Sequence, residues 1–121
     1  YLPDQRVLFH DQKNQNHPDF PVSEAVRKQL VEADLAPVSL PAPTALRDDD
    51  GFVDYSYVNH YVMNDAVLLG SFDDQNDKEA QAILRDCYPN REVVLIDARE
   101  LFARGGGVHC ITQQQPETKA S

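Results

Sequence analysis

The most distinctive stretch of this 121-residue chain reads Gly105-Gly106-Gly107-Val108-His109-Cys110-Ile111-Thr112-Gln113-Gln114. Three consecutive glycines let the backbone approach a ligand closely and adopt φ angles that other residues resist. The thiol of Cys110 comes soon after them, and a cysteine can be either a nucleophile or a small core residue. Composition alone leaves both interpretations open. A phosphate-binding loop is excluded, because no Lys-Ser/Thr pair follows the glycines.

The neighbours of Cys110 favour an extended backbone. Val108 to Thr112 predict a short last strand, in which adjacent side chains point to opposite faces. His109 is therefore not expected to be the base for Cys110. The other cysteine, Cys87, falls on the apolar stripe of a predicted helix, and we assign it to packing. Two cysteines make a poor disulfide framework.

Hydrophobic periodicity divides the rest of the chain into two similar units. The first combines a helix at about 22–33, whose apolar stripe is Val22, Val26 and Leu30, with strands on either side. The second adds a hairpin before its helix. The predicted strands are 6–10 and 36–40 in the first unit and 57–62, 66–70 and 92–97 in the second, whose helix is 77–87.

The spacing of these units indicates an array. The two helices begin about 55 residues apart, and repeats of such length bury their faces against neighbouring repeats. A pair of units rarely achieves this alone, and the strand from Val108 looks like the start of a third. We therefore expect the chain to be the end of something longer.

Composition excludes several classes of protein. Twenty acidic against eleven basic residues give a net charge of −9, which argues against a nucleic-acid binder. Apolar runs are far shorter than the roughly 20 residues of a membrane span, and no secretory signal opens the chain. Asp48-Asp49-Asp50 predicts a solvated loop within 46–51 and not a metal site, since neighbouring side chains in extended backbone cannot all face one ion.

Other polar and aromatic residues have plainer interpretations. We expect His10 and His17 at the surface and His60 in the hairpin. Three residues of the same predicted strand could line a pocket, but packing and hydrogen bonding are the expected roles of Tyr57, Asn59 and Tyr61. Asp97, at the end of a strand, is expected to cap a turn.

Three segments resemble one known family. The run 105–114 resembles the C-terminal motif of the agmatine deiminases, within the bacterial-type peptidylarginine deiminases. Ser56-Tyr57-Val58-Asn59-His60-Tyr61 is similar to that family's Ser-Tyr-x-Asn-Phe-Tyr segment, and Asp97-Ala98-Arg99-Glu100-Leu101 is similar to the stretch before its glycine loop. His60 and Arg104 depart from the usual Phe and Gly.

The resemblance implies an α+β architecture of the pentein type, an α/β propeller of five ββαβ modules with the active site at its centre. About two modules would be present, at approximately 1–45 and 55–100. A loop carrying the catalytic cysteine would follow at 104–116, and a tail at 117–121.

The resemblance also implies an activity. Cys110 would be the nucleophile and Gly105, Gly106, Gly107 and His109 its substrate loop, with no metal or cofactor. The reaction would convert agmatine, a small guanidinium substrate, to N-carbamoylputrescine and ammonia through a covalent cysteine intermediate, as in putrescine biosynthesis. The enzyme would be a cytoplasmic hydrolase with no nucleic-acid or membrane partner, and it is expected to form a homo-oligomer.

Two further consequences and two alternatives accompany this hypothesis. No segment matches the family's His-x-Asp motif, so the His and acidic partners are expected in earlier modules and this chain alone should not turn over substrate. One alternative is a peptidylarginine deiminase acting on protein arginine. The other is a non-catalytic pentein-fold binding module, which would not require Cys110 in a glycine-rich loop.

Overall fold

Two strand-helix-strand units account for most of the regular structure. The computed structural model describes residues 1–45, 47, 48 and 51–118, with backbone alone for 47, 48, 51 and 52. In the first unit, β1 (Val7–Asp11) pairs in parallel with β2 (Pro37–Pro41), and α1 (Phe20–Glu32) connects them. Parallel strands need such a crossover. The strand-helix-strand order predicted for this part of the chain is confirmed.

Helix α1 differs from its prediction in what it buries. Val22 is 57% exposed, and Val26 and Leu30 are half-buried, so the predicted apolar stripe is wrong as a buried face. The buried residue of α1 is Ser23, whose hydroxyl donates to the His10 carbonyl and accepts from the Gln12 N–H, both at 2.9 Å. The helix also meets β1 through Arg27, whose guanidinium donates to the buried Asp11 carboxylate at 2.7 Å.

A short hairpin follows the first unit. Strands β3 (Arg47–Asp48) and β4 (Gly51–Phe52) pair antiparallel, where the sequence predicts a solvated loop. Leu46, Asp49 and Asp50 lie outside the described residues, and so does the expectation that the three consecutive acids form no metal site.

The second unit forms a three-stranded sheet. Strand β6 (Ala66–Ser71) pairs antiparallel with β5 (Tyr61–Val62) and parallel with β7 (Glu92–Asp97), and α2 (Asp77–Cys87) connects β6 to β7. The hairpin, the helix and the last strand are confirmed. The predicted strand 57–62 is wrong for 57–60, which bend sharply: the His60 N–H donates to the Val58 carbonyl at 2.9 Å.

The core lies between α2, its sheet and the segment after β7. Leu69 and Leu84 are fully buried, and each contributes roughly 1.5–3 kcal/mol relative to an exposed position. Its buried members are Leu2, Leu40, Tyr57, Val67, Leu69, Phe72, Ala80, Leu84, Cys87, Tyr88, Val93, Ala98, Phe102 and Val108. Because Leu2 and Leu40 belong to the first unit, this core joins the two units.

The histidines do not all lie where the sequence predicts. His17 is 7% exposed, and its Nδ1 accepts the Asp19 N–H at 3.0 Å, so its expected surface position is wrong. His10 is half-buried, and burial lowers its pKa.

Among the described residues, no helix is long and apolar enough to cross a bilayer.

Candidate active site around Cys110

A short helix delivers the glycine-rich segment to the site. Helix α3 (Arg99–Ala103) follows β7 directly, and the sequence analysis missed it. Asp97 accepts the Arg99 N–H at 3.2 Å, which confirms its predicted role in capping a turn. At the other end, Gly105 has φ +93° and its N–H bonds the Phe102 carbonyl, while the Gly106 N–H bonds the Leu101 carbonyl. This is a Schellman ending, which requires a positive φ.

The helix is anchored by aromatic packing. Phe102 is 8% exposed and meets Phe72 edge-on at 5.2 Å and Tyr55 at 5.8 Å between ring centroids. Tyr55 in turn stacks on Phe72 at 4.5 Å. The start of the glycine segment therefore rests on the core.

Cys110 lies in a 3₁₀ turn, His109–Ile111, and not in the predicted strand. The N–H groups of Cys110, Ile111 and Thr112 bond the carbonyls three residues earlier, at 3.2–3.3 Å. The strand prediction is therefore wrong, and so is the argument that placed His109 opposite Cys110. The His109 ring instead meets Tyr61 edge-on at 6.2 Å, and among the described residues it makes no hydrogen bond to the Cys110 Sγ.

Asn59 bonds both the turn and the thiol. Its Oδ1 accepts the His109 N–H at 2.9 Å, and its Nδ2 donates to the Cys110 Sγ at 3.4 Å. Gly107 is buried beneath it: a Cβ there would lie 2.6 Å from the Asn59 Cγ. The sequence analysis expected Asn59 to be structural and not pocket-lining, whereas it lines the site and also performs a structural role.

The environment of Cys110 favours its thiolate. The thiol is exposed, and hydrogen bonds from the Asn59 side chain and from the Gly107 backbone lower the pKa of Cys110. A thiolate that accepts hydrogen bonds is stabilised over the neutral thiol. Cys110 thus combines access with nucleophilic character.

The thiol opens into a groove of about 560 Å³. Gly105, Gly106 and His109, all predicted to belong to a substrate loop, line it with Cys110, whereas Gly107 does not. Further lining residues, which the sequence analysis did not select, are Asp54, Ser56, Val58, Asn59 and Phe102. The groove therefore places an exposed thiol, an apolar wall and a carboxylate side by side.

The predicted structural roles of Cys87, Tyr57 and Tyr61 are confirmed. Cys87 is 4% exposed and packs in the core, and burial raises its pKa. Tyr57 is fully buried, and its hydroxyl donates to Asp77 at 2.7 Å. The Tyr61 hydroxyl donates to the Gln113 carbonyl at 3.3 Å.

Comparison with known proteins identifies the family. Residues 1–116 match the family model described as Porphyromonas-type peptidyl-arginine deiminase. The chain belongs to this family. A Streptomyces coelicolor relative named "Putative agmatine deiminase" is 47% identical over a match 119 positions long, and this match covers 93% of this chain and 35% of that protein. An agmatine deiminase of Pseudomonas fluorescens is 51% identical over 61 residues, covering 50% of this chain and 17% of that one.

Solved structures confirm the fold of this peptidyl-arginine deiminase family member. An agmatine deiminase of Enterococcus faecalis superposes with a TM-score of 0.85 at 22% identity, covering 97% of this chain and 38% of that structure. The chain thus has the α+β pentein architecture predicted from the sequence, and about two of its five modules. It spans about a third of the length of the curated relatives it matches.

Proposed function

We propose that the intact protein is an agmatine deiminase, a hydrolase that acts on the C–N bond of a linear amidine. The observation that carries the proposal is an exposed Cys110 with a lowered pKa, held in a groove beside Asn59. The relatives named as agmatine deiminases add support. We propose this activity for the intact protein, because this chain spans about a third of the length of the Streptomyces coelicolor relative.

The proposed chemistry is nucleophilic catalysis. The Cys110 thiolate attacks the guanidinium carbon, and the C–N bond to an amino group breaks as that nitrogen takes up a proton and leaves as ammonia. Water then attacks the resulting thiouronium carbon, the C–S bond breaks, and the thiolate is released with N-carbamoylputrescine. We assign the proton transfers to a His and acidic residues in the part of the family's length that this chain does not span.

A carboxylate in the groove supports agmatine as the substrate. Asp54 lines the same groove as Cys110, and Phe102 and Val58 supply apolar wall. Agmatine carries an ammonium group at the far end of a four-carbon chain, which a carboxylate attracts. Free arginine carries an α-carboxylate beside its α-ammonium, so the attraction of Asp54 for the ammonium is offset in that substrate.

The second candidate, deimination of protein arginine, is favoured by the family's own description. Peptidyl-arginine has no charge at its α-carbon, so Asp54 gives it no advantage. Comparing kcat/KM of the full-length protein for agmatine, arginine and an arginine peptide decides between them. We expect agmatine to be preferred by roughly threefold to tenfold, the scale set by an exposed charge pair such as one made with Asp54. A preference for the peptide would overturn the agmatine assignment.

The experiment that tests the enzyme itself compares two matched substitutions in the full-length protein. Cys110→Ser should abolish ammonia release from agmatine, whereas Cys87→Ser should leave kcat within about threefold, because Cys87 lies in the core away from the groove. Undiminished turnover by Cys110→Ser would indicate another nucleophile, whereas no turnover by the unmodified protein would favour the non-catalytic binding module. The module bounds, the cytoplasmic location and the homo-oligomer stay predictions.

A further inference from the structure

The segment that carries Asn59 is held on several sides. Ser56 accepts the Val58 N–H at 3.2 Å, and the His60 N–H closes the bend on the Val58 carbonyl at 2.9 Å. The His60 Nδ1 lies 2.9 Å from the Tyr57 carbonyl, and because a carbonyl can only accept, the ring proton sits on Nδ1. Tyr57 is fully buried. Asn59 therefore projects from a fixed base.

The orientation of the Asn59 amide is also fixed. Its Oδ1 must face the His109 N–H, since a backbone N–H can only donate. The NH₂ group is then left to face the Cys110 Sγ. The missing Cβ of Gly107 lets this amide lie directly against the backbone of the turn. One side chain thus holds the turn and touches the sulfur.

We propose that Asn59 is the positioning residue of Cys110, acting through two hydrogen bonds. Its amide oxygen holds the backbone of the 3₁₀ turn, and its amide nitrogen favours the thiolate by donating to the sulfur. The assignment deepens the proposed function, because the thiolate it stabilises is the proposed nucleophile. Its role in thiol ionisation can be measured without any substrate.

The charged and titratable groups around the thiol make such a donor useful. Among the described residues that line the groove, the ionisable side chains besides Cys110 are Asp54 and His109. His60 lies at the base of the bend, and burial lowers its pKa, so it is neutral at pH 7 and adds no positive charge. Hydrogen bonds therefore carry the stabilisation of the thiolate, and the bond from the Asn59 amide contributes most to lowering the pKa of Cys110.

The decisive variant is Asn59→Asp in the full-length protein. An aspartate keeps an oxygen for the His109 N–H but replaces the NH₂ donor with a second acceptor that repels a thiolate. We expect iodoacetamide to alkylate Cys110 at least about tenfold more slowly at pH 6.5, with the midpoint of the pH profile moved upward. For agmatine, kcat should fall by a similar factor, while KM stays within about threefold.

Two comparisons complete the test. Asn59→Ala removes both hydrogen bonds and should slow alkylation of Cys110 as well, whereas Asn90→Ala, at an exposed turn, should match the unmodified protein. Protection of the buried Cys87 from the same reagent reports in each sample that the protein is folded.

The outcomes separate this inference from the proposed function. An Asn59→Asp protein that protects Cys87 and alkylates Cys110 with an unchanged rate and pH profile would overturn the role of Asn59. If the pH profile moves as expected but no sample, including the unmodified protein, releases ammonia from agmatine, the inference on thiol ionisation stands and the proposed function fails.

Discussion

The two cysteines of this chain occupy opposite environments. Cys87 ends α2 and packs in the core at 4% exposure, whereas Cys110 lies exposed in a 3₁₀ turn. Burial raises the pKa of Cys87, and hydrogen bonds from Asn59 and the Gly107 backbone lower the pKa of Cys110. The same side chain is thus a core group in one place and the proposed nucleophile in the other.

The difference shows that a cysteine's chemistry depends in part on residues distant in sequence. Asn59 is about fifty positions from Cys110, and its hydrogen bond is the largest contribution to the lowered pKa of Cys110. The contrast between the two thiols can be tested by chemical reactivity, by substitution and by stability measurements.

The largest expected effect is on alkylation of the folded protein. At pH 6.5, iodoacetamide should modify Cys110 roughly 1,000-fold faster than Cys87, because Cys110 is both accessible and more ionised. The pKa difference contributes to this ratio, since the lowered pKa of Cys110 gives it the larger thiolate fraction and the raised pKa of Cys87 gives that residue the smaller one. Peptide mapping measures both rates. Equal rates in the folded protein would remove the contrast, and in urea the two rates should converge.

The next effect comes from filling the space beneath Asn59. A Cβ in Gly107→Ala would lie 2.6–2.8 Å from three atoms of the Asn59 amide, so the amide must move away from the turn. We expect kcat/KM for agmatine in the full-length protein to fall by about 100-fold, the scale of a misplaced catalytic group. Ammonia release measures it.

A double variant tests the reason for that loss. Once Asn59→Ala has removed the clashing atoms, adding Gly107→Ala should cost little more, because the two changes act on the same contact. Fully additive losses would show that Gly107 acts on the site by another route.

Some elements of this structure could be predicted from the sequence and others could not. The strands of the first unit, the hairpin, α2 and β7 were predictable because their periodic patterns extend over many residues. Helix α3 was not, since Arg99–Ala103 is too short to show a period. The turn at Cys110 was mistaken for a strand because Val108, Ile111 and Thr112 favour extended backbone. What overrides that preference is a bond from Asn59, a tertiary contact that local propensity does not contain.

A third prediction concerns the stability of the core. Cys87→Ser places a hydroxyl among apolar side chains and should lower the free energy of unfolding by about 1–3 kcal/mol. Cys110→Ser, at the exposed position, should change it by less than about 0.5 kcal/mol. Urea denaturation of the full-length protein compares the two. A larger loss for Cys110→Ser would make Cys110 a structural residue.

The smallest predicted effect is on the backbone of the glycine segment. Gly105 adopts φ +93°, so Gly105→Ala should destabilise the protein by about 1 kcal/mol although no atom lies within 4 Å of the added Cβ. Gly105→Asn should cost less, because asparagine tolerates positive φ. Thermal denaturation distinguishes them, and equal stability of all three proteins would contradict the Schellman ending.

The most direct test of the account is to trap the intermediate. The full-length protein is mixed with agmatine, quenched in acid during turnover, digested and mapped by mass spectrometry. We expect an adduct with the mass of agmatine less ammonia on the peptide that contains Cys110, and none on the peptide that contains Cys87. Turnover with an unmodified Cys110 and no detectable adduct on its peptide, or an adduct on another residue, would contradict the claim that Cys110 is the nucleophile.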